Sequence, residues 1–288
     1  MKKGRYSIFR ACLELCKIKI SAFSSLSAAT GFLLCRRITP EAIVMIAGVF
    51  LLACGSCGMN QCQERDLDAL MPRTKNRPIP SGRLKPVNAL VLSVILMSSG
   101  VAALAVAGSL PALLLGVLAV IWYNGIYTPF KRRSAFAAIP GALIGVIPPA
   151  IGWVTGGGGF LDPKLLVICF FFFMWQVPHF WLLMLDHGKE YERAGLPSLS
   201  SLLRKDQMSR IVFVWICASA VSSSLITASG LVQGAAISLL VVALAAWLIL
   251  NGIGLLREKT AVYVTIFKRI NAYIFLIMAL LAGSRYLS

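Results

Sequence analysis

Charge is what this sequence has least of. Of its 288 residues only 14% are Asp, Glu, Lys or Arg, and just 11 are acidic, whereas soluble domains carry about a quarter charged residues. A folded domain with an ordinary water-facing surface is therefore excluded. Low-complexity tracts and flexible linkers are missing as well. The start, MKKGRYSIFR, is basic and short, but no short apolar core with a small-residue cleavage site follows it. The first apolar run is thus expected to be retained rather than removed as a leader. An Arg- and Ser-rich transit extension is also lacking, which makes a bacterial inner (plasma) membrane the expected home. The eight cysteines, at 12, 16, 35, 54, 57, 62, 169 and 217, include one CxxC, Cys54 and Cys57, with no second pair at ligand spacing. Without that second pair the CxxC reads as small residues packing between helices, not as a zinc or redox site.

What is present is apolar: 58% of residues are hydrophobic and the mean hydropathy is +0.80. Crossing ~30 Å of hydrocarbon takes about 20 apolar residues in a helix. Nine segments qualify: 18–35, 42–59, 87–108, 110–128, 138–155, 164–185, 210–229, 231–252 and 269–286. The expected fold class is therefore all-α, a polytopic membrane bundle of nine transmembrane helices, with residues 1–288 forming one integral-membrane domain. The net charge of +17 sorts by side. Nine spans with a cytoplasmic N-terminus place 24 of the 28 Lys and Arg residues inside, leaving Arg36, Arg37, Lys164 and Arg285 outside. That is the positive-inside pattern. The basic balance reflects topology in a lipid bilayer, and no nucleic-acid partner is expected.

Two long inner segments stand out for combining acids with bases, 60–86 and 186–210. In NQCQERDLD, Asn60, Glu64 and Asp68 are spaced i, i+4, i+8. At about 3.6 residues per turn one helical face holds all three, drifting about 40° per step, while Asp66 points about 120° away. Pro72 then predicts a stop. Oxygen ligands stacked on one stripe suit a hard cation such as Mg²⁺, with Glu64 and Asp68 as ligands and Asn60 assisting. The RTKNRP that follows supplies Arg73, Lys75 and Arg77, the charges and bidentate donors a diphosphate requires. The second segment, 186–210, repeats the logic. Asp186 and Glu190 are i, i+4, Lys189 lies beside Glu190, and Tyr191, Arg193 and an AGLP turn at 194–197 follow. Two acidic stripes ending helices on the same side can clamp one Mg²⁺-bound diphosphate, with Asn60, Glu64, Asp68, Asp186 and Glu190 as the catalytic set. The plain alternative is that acids and bases at helix ends merely solvate one another. The order of acids, break and bases argues against it. A diphosphate in an apolar cavity implies an isoprenoid chain, so the residues alone lead to a lipid-diphosphate enzyme of the membrane, at the inner, cytoplasmic mouth of the bundle.

At these residues the chain resembles the UbiA-type intramembrane prenyltransferases, whose signature is Asn-x3-acid-x3-Asp in the first such loop and a second acidic motif later. It is similar in particular to their heme-prenylating branch. The likeness is carried by NQCQERDLDALMPRTKNRPIPSG, YTPFKRRSAFAAIPGALIGVIPPAIGW and MWQVPHFWLLMLDHGKEYERAGLPSL. Within these, the element Met71 to Thr74, PPAIGW at 148–153 and WQVPHF at 175–180 favour the heme branch over quinone or chlorophyll branches. Two departures concern detail: CKIKIS, with Lys17 and Lys19, stands where the family tends to have Lys-Pro-Arg, and Ser198 stands where it often has Met.

The resemblance implies farnesyl diphosphate and protoheme IX as substrates, Mg²⁺ as cofactor, and heme O and diphosphate as products. A downstream heme A synthase or terminal oxidase is the further partner it brings. In the reaction so implied Arg73, Lys75 and Arg77 stabilise the leaving diphosphate; Lys131, open to it or to a heme propionate, and Lys189 beside Glu190 are further candidates for it. His179, Trp175 and Arg132 serve the heme, His179 because an ionisable residue within a span marks function and imidazole ligates heme iron. Against this, His179 can equally be a helix-crossing hydrogen bonder, His187 a solvated loop residue, and Trp175, Phe180 and Trp181 ordinary core aromatics. Tyr127, Lys131 and Arg132 can also simply anchor their helix end. Two rivals stay open: a 4-hydroxybenzoate or other quinone-precursor prenyltransferase, and an anion transporter, which half-helix breaks at mid-membrane depth would favour. The basic split predicts that single cysteines placed at Ser81 and Ser200 are labelled by an impermeant thiol reagent from the same side of the membrane; labelling from opposite sides would break the shared site.

Overall fold

Apolar runs with no water to bond their backbones must close every hydrogen bond internally, and in a single segment only a helix does so. The computed structural model describes residues 8–107, 109–232, 234–257 and 262–287. The stretch 1–7 with Lys2, Lys3 and Arg5, Gly108 of the outer loop between the third and fourth spans, and Lys259 lie outside the described residues. Twelve helical segments appear among those described. They are α1 (Ile8–Leu15), α2 (Ile18–Cys35), α3 (Pro40–Gln63), α4 (Arg65–Leu70), α5 (Pro86–Val106) and α6 (Leu110–Phe130). They continue with α7 (Ala138–Thr155), α8 (Pro163–Arg193), α9 (Leu199–Leu202), α10 (Lys205–Ala228), α11 (Ala235–Arg257) and α12 (Val262–Leu287). Nine of these are long and apolar enough to cross a membrane, matching the nine expected. Leu110, Leu166, Leu239 and Leu250 are exposed on them, as suits a surface bathed in lipid.

Neighbours in sequence pack as neighbours in space: α2 on α3, α3 on α5, α5 on α6, α6 on α7, then α8 on α10, α10 on α11 and α11 on α12. The last helix, α12, packs back against α2, and α8 also packs against α12. The bundle is therefore a closed ring. Hydropathy alone places the end of α8 too early and the start of α12 too late. At about 1.5 Å per residue, the 31 residues of α8 rise about 46 Å, past ~30 Å of hydrocarbon. Residues 186–193, expected as loop, are the projecting last turns of that helix. They end in a Schellman cap: Gly195 has φ +74°, its N–H bonds the Glu192 carbonyl at 3.0 Å, and the Leu196 N–H bonds the Tyr191 carbonyl at 3.0 Å.

Without a hydrophobic drive between helices in lipid, close backbone approach must hold them together, and small residues permit it. α2 and α7 show this most clearly. A Cβ on Gly152 would stand 1.8 Å from the Ala28 carbonyl oxygen, and one on Gly31 would stand 2.0 Å from that of Pro149. The PPAIGW stretch is thus a packing surface, with Pro149 through Trp153 buried. Cys54 and Cys57 are likewise buried within α3. Overpacking of a tight contact costs about 1–3 kcal/mol and at times more. Gly152→Leu is expected to lower the thermal unfolding temperature of the purified protein sharply, whereas Gly157→Leu, whose Cβ meets nothing within 4 Å but whose φ is +93°, is expected to cost only the smaller backbone strain.

Candidate active site at the mouth of the bundle

The three spaced residues of the first motif do lie on one stripe. The Glu64 N–H bonds the Asn60 carbonyl at 3.0 Å and the Asp68 N–H bonds the Glu64 carbonyl at 2.8 Å, so helical pairing runs on through the break between α3 and α4. Asn60 is 2% exposed, Glu64 4% and Asp68 1%. Asp66 points away, its side chain 89% exposed beside Arg65. α4 ends at Leu70, just before Pro72. The chain then turns back, held by the Thr74 hydroxyl, which donates to the Asp68 carbonyl at 2.9 Å.

Buried carboxylates must be neutralised where they stand. Arg77 Nη1 reaches both oxygens of Asp68, at 2.8 and 2.6 Å. Lys131, just past the end of α6, forms an ion pair with Glu64. Asn60 takes no charge but is pinned from two sides: Lys17 Nζ donates to its Oδ1 at 3.4 Å, and its Nδ2 donates to Thr128 Oγ1 at 3.1 Å. Lys17 sits in the break between α1 and α2 with φ 44°, a left-handed conformation that costs a side-chain-bearing residue about 1–2 kcal/mol. Burial first, then the repulsion of Arg77 and Lys131, lowers its ammonium pKa below the usual lysine value, against the upward pull of Cys57 and Glu64. Three cations therefore gather around two carboxylates, and the surplus is positive. Glu14 of α1 pairs with Arg83 at 2.5 Å, whose hydrogen bond lowers the Glu14 pKa, and so ties α1 to the far end of the same loop.

The second motif meets the first through Arg73. Its Nη2 donates to the Tyr191 hydroxyl at 3.0 Å and its guanidinium lies 5.6 Å from that ring, so both motifs stand at one end of the bundle. Asp186 and Glu190 flank His187, at 3.4 Å from Nε2 and 3.8 Å from Nδ1. The other Glu190 oxygen, Oε2, is buried with no hydrogen-bond partner. Among the described residues no three His, Cys, Asp or Glu side chains converge on one point; the two acidic stripes approach through Arg73 and Tyr191 rather than through one another. Lys75 and Lys189 are exposed at this mouth. Arg132 is exposed too, its guanidinium bonded to the Gln63 carbonyl, capping α3.

Behind the charges runs a row of rings. Residues Ile121–Tyr127 of α6 are wound as a π-helix, a departure that often marks functional sites. Within it Tyr123 stacks on Tyr127 at 5.9 Å, Tyr127 on Phe180 at 6.3 Å, and Lys131 Nζ lies 5.8 Å from the Tyr127 ring. Phe180 meets His179 at 5.7 Å, and His179 meets Trp175 at 4.9 Å. Trp175 is buried, with its indole N–H bonded to the Ile270 carbonyl at 2.9 Å. His179 Nδ1 lies 2.9 Å from Asn271 Oδ1 of α12. Trp181 packs against Trp215 of α10 instead. Thr128, Tyr191 and Asn271 are site residues to which motif spacing gives no role. For Thr128 and Asn271 the available signal is a polar side chain within an apolar span; Tyr191 carries none beyond its place after Glu190.

The fold and this mouth define a polytopic helical membrane protein with a buried acid–base cluster at one end of the bundle. Residues 24–281 match the model of the UbiA prenyltransferase family, and the chain belongs to that family. A protoheme IX farnesyltransferase of Geobacter sulfurreducens is 39% identical over 227 residues, covering 77% of this chain and 82% of that protein. The structure of digeranylgeranylglyceryl phosphate synthase superposes with a TM-score of 0.78 at 15% identity, covering 98% of this chain and 99% of that one. A UbiA homolog from Archaeoglobus fulgidus bound to GPP and Mg²⁺ gives 0.69 at 14%, covering 93% and 99%. Removing one partner of a buried ion pair costs about 3–5 kcal/mol, while replacing both with apolar residues is often near neutral. Lys131→Met is therefore expected to destabilise the protein strongly and Glu64→Leu/Lys131→Met to recover most of the loss; a thermal-unfolding cycle that is additive would contradict the pair.

Proposed function

We propose that this family member transfers a farnesyl group from farnesyl diphosphate to a vinyl group of protoheme IX, giving heme O and diphosphate. The observation that carries the reaction class is the buried Asn60–Glu64–Asp68 stripe balanced by Lys17, Arg77 and Lys131. The acceptor rests on the similarity to the Geobacter sulfurreducens protoheme IX farnesyltransferase. The membrane is taken to be a bacterial inner membrane, with the site at its cytoplasmic face.

The donor set fits Mg²⁺: Glu64 and Asp68 lie on one stripe, Asp186 and Glu190 on the other, and a buried Glu190 oxygen lacks a partner. The A. fulgidus homolog was solved with Mg²⁺ and GPP. Glu64 with Asp68 on one stripe and Asp186 with Glu190 on the other are the residues that would hold Mg²⁺, each stripe with its own pair, and the metal would supply charge neutralisation to the leaving diphosphate. Arg77, Lys131 and Lys17 present N–H donors to phosphoryl oxygens, and Arg73, Lys75 and Lys189 add positive charge at the rim. As the allylic C–O bond breaks, charge grows on the diphosphate, and donors fixed beforehand stabilise it most. The Tyr127 and Phe180 rings lie between this charge and His179, where the apolar bundle keeps bulk water from the allylic cation. The terminal vinyl carbon of the heme forms the new C–C bond to that cation, the charge passes to the neighbouring carbon, and one water adds there with loss of a proton to give the hydroxyethyl group.

Given farnesyl diphosphate and Mg²⁺, the purified protein is expected to convert protoheme into a later-eluting heme on reversed-phase chromatography and to leave 4-hydroxybenzoate unchanged. Prenylated 4-hydroxybenzoate with untouched protoheme would move the acceptor to the quinone precursors. Asp68→Asn is expected to lower turnover by about 10²-fold or more, the scale of losing a charge-stabilising group, while exposed Asp66→Asn stays within a few-fold of wild type.

A further inference from the structure

The polar contact between α8 and α12 sits deep among aromatic rings and takes no part in the diphosphate chemistry. His179 is half-buried, with Trp175 and Phe267 each 4.9 Å away, centroid to centroid, and Phe180 at 5.7 Å. Its Nδ1 lies 2.9 Å from Asn271 Oδ1. Asn271 Nδ2 in turn donates to the Phe267 carbonyl at 2.8 Å, one turn back on α12. These two contacts fix the amide. Turned over, it would set its oxygen against the Phe267 carbonyl, acceptor facing acceptor, and its NH₂ against the ring. In the orientation present, Asn271 Oδ1 can only accept, so Nδ1 must carry the hydrogen. A neutral imidazole with hydrogen on Nδ1 has a bare lone pair on Nε2. Among the described residues Nε2 has no hydrogen-bond partner, and the half-buried ring is not sealed in the core.

The register of the contact is held independently. One turn earlier on α8, the Trp175 indole N–H donates to the carbonyl of Ile270, the residue before Asn271. Two adjacent residues of α12 thus receive two residues of α8 four apart, which fixes both the height and the rotation of the imidazole. A histidine that served only to join two helices would need nothing of its second nitrogen. Here that nitrogen is left as a Lewis base next to the ring row that leads, through Phe180 and Tyr127, to Lys131 and the diphosphate cluster.

We propose that Asn271 is a positioning residue that holds His179 as its Nδ1–H tautomer, so that Nε2 ligates the iron of the protoheme acceptor. This rests on the heme reading of the site. A hydrogen bond from the distal nitrogen of a metal-bound imidazole sets ring orientation and ligand basicity, and its loss typically costs about 10–100-fold in metal affinity. Asn271 thereby orients the porphyrin relative to the farnesyl chain without touching either substrate.

The test uses the full chain in detergent with ferrous protoheme and reads the iron–histidine stretching band by resonance Raman, together with heme affinity. Wild type is expected to show the band, and His179→Ala to lose it. Asn271→Asp, nearly isosteric and a stronger acceptor, is expected to shift the band to higher frequency. Asn271→Leu is expected to shift it lower and weaken heme binding about tenfold or more. If His179→Ala abolishes the band while Asn271→Asp leaves frequency and affinity at wild-type values, the role of Asn271 is overturned and the heme reading stands. If His179→Ala keeps the band, His179 is not the ligand and the proposal fails with it. If wild type binds no protoheme, the acceptor assignment itself falls. Should Asn271→Leu not fold, the Asn271→Asp shift alone decides.

Discussion

Carboxylates buried at the end of a membrane helix must find their counter-charge on the spot, and this bundle is arranged around two such balances. Glu64 pairs with Lys131 and Asp68 with Arg77. The first joins α3 to the end of α6; the second folds the loop after α4 back over its own helix. Asn60, one turn before Glu64, draws in Lys17 from the break after α1 and Thr128 from α6. Three stretches of chain far apart in sequence are thus fastened at one point, and the strained backbone of Lys17 is tolerated because its side chain reaches it. The energetics are two-sided. An ion pair in low dielectric repays its own desolvation only when both partners stay in place, so the cluster is stable as a whole and unstable in parts. In the proposed function a polyanion with a cation would offer each of these side chains a new partner at once.

The rings behind this cluster give it direction. Tyr127 touches both the Lys131 cation and Phe180, and Phe180 touches His179. The π-helical winding of Ile121–Tyr127 accompanies the stacking of Tyr123 and Tyr127 near the charges and the turn of the Asn124 amide toward α3, where its Nδ2 donates to the Ser56 carbonyl at 3.0 Å. Charge at the mouth and polar chemistry at His179 are therefore ends of one row. In the proposed reaction the diphosphate occupies one end and the acceptor the other, with an apolar chain between them that no bulk water needs to enter.

Much of this arrangement is legible in the amino-acid sequence. Nine spans follow from composition, and the face shared by Asn60, Glu64 and Asp68, with Asp66 turned away, follows from helical spacing. Both hold because a period of about 3.6 residues acts locally and needs no tertiary information. What the sequence hides is partnership. Nothing in the order of residues says that Lys131 faces Glu64, or that Arg73 finds Tyr191 rather than a carboxylate. The second acidic segment reads as a loop because hydropathy ends where charge begins, yet a helix continues until its backbone is capped, here at Gly195. Asn271 carries a weak signal, one amide in an apolar run, and only the packing of α12 on α8 gives it meaning.

Binding of a farnesyl diphosphate analogue whose bridging oxygen is replaced by sulfur, so that it resists ionisation, tests the central claim most directly. Titrated into the purified protein by calorimetry, it is expected to bind saturably with Mg²⁺ present and far more weakly with EDTA. In Glu64→Gln/Asp68→Asn the metal dependence should vanish, because the carboxylates no longer exchange Lys131 and Arg77 for the cation. Equal affinity with and without Mg²⁺, or undiminished metal dependence in that double variant, would contradict the assignment of this acid–base cluster as the diphosphate site.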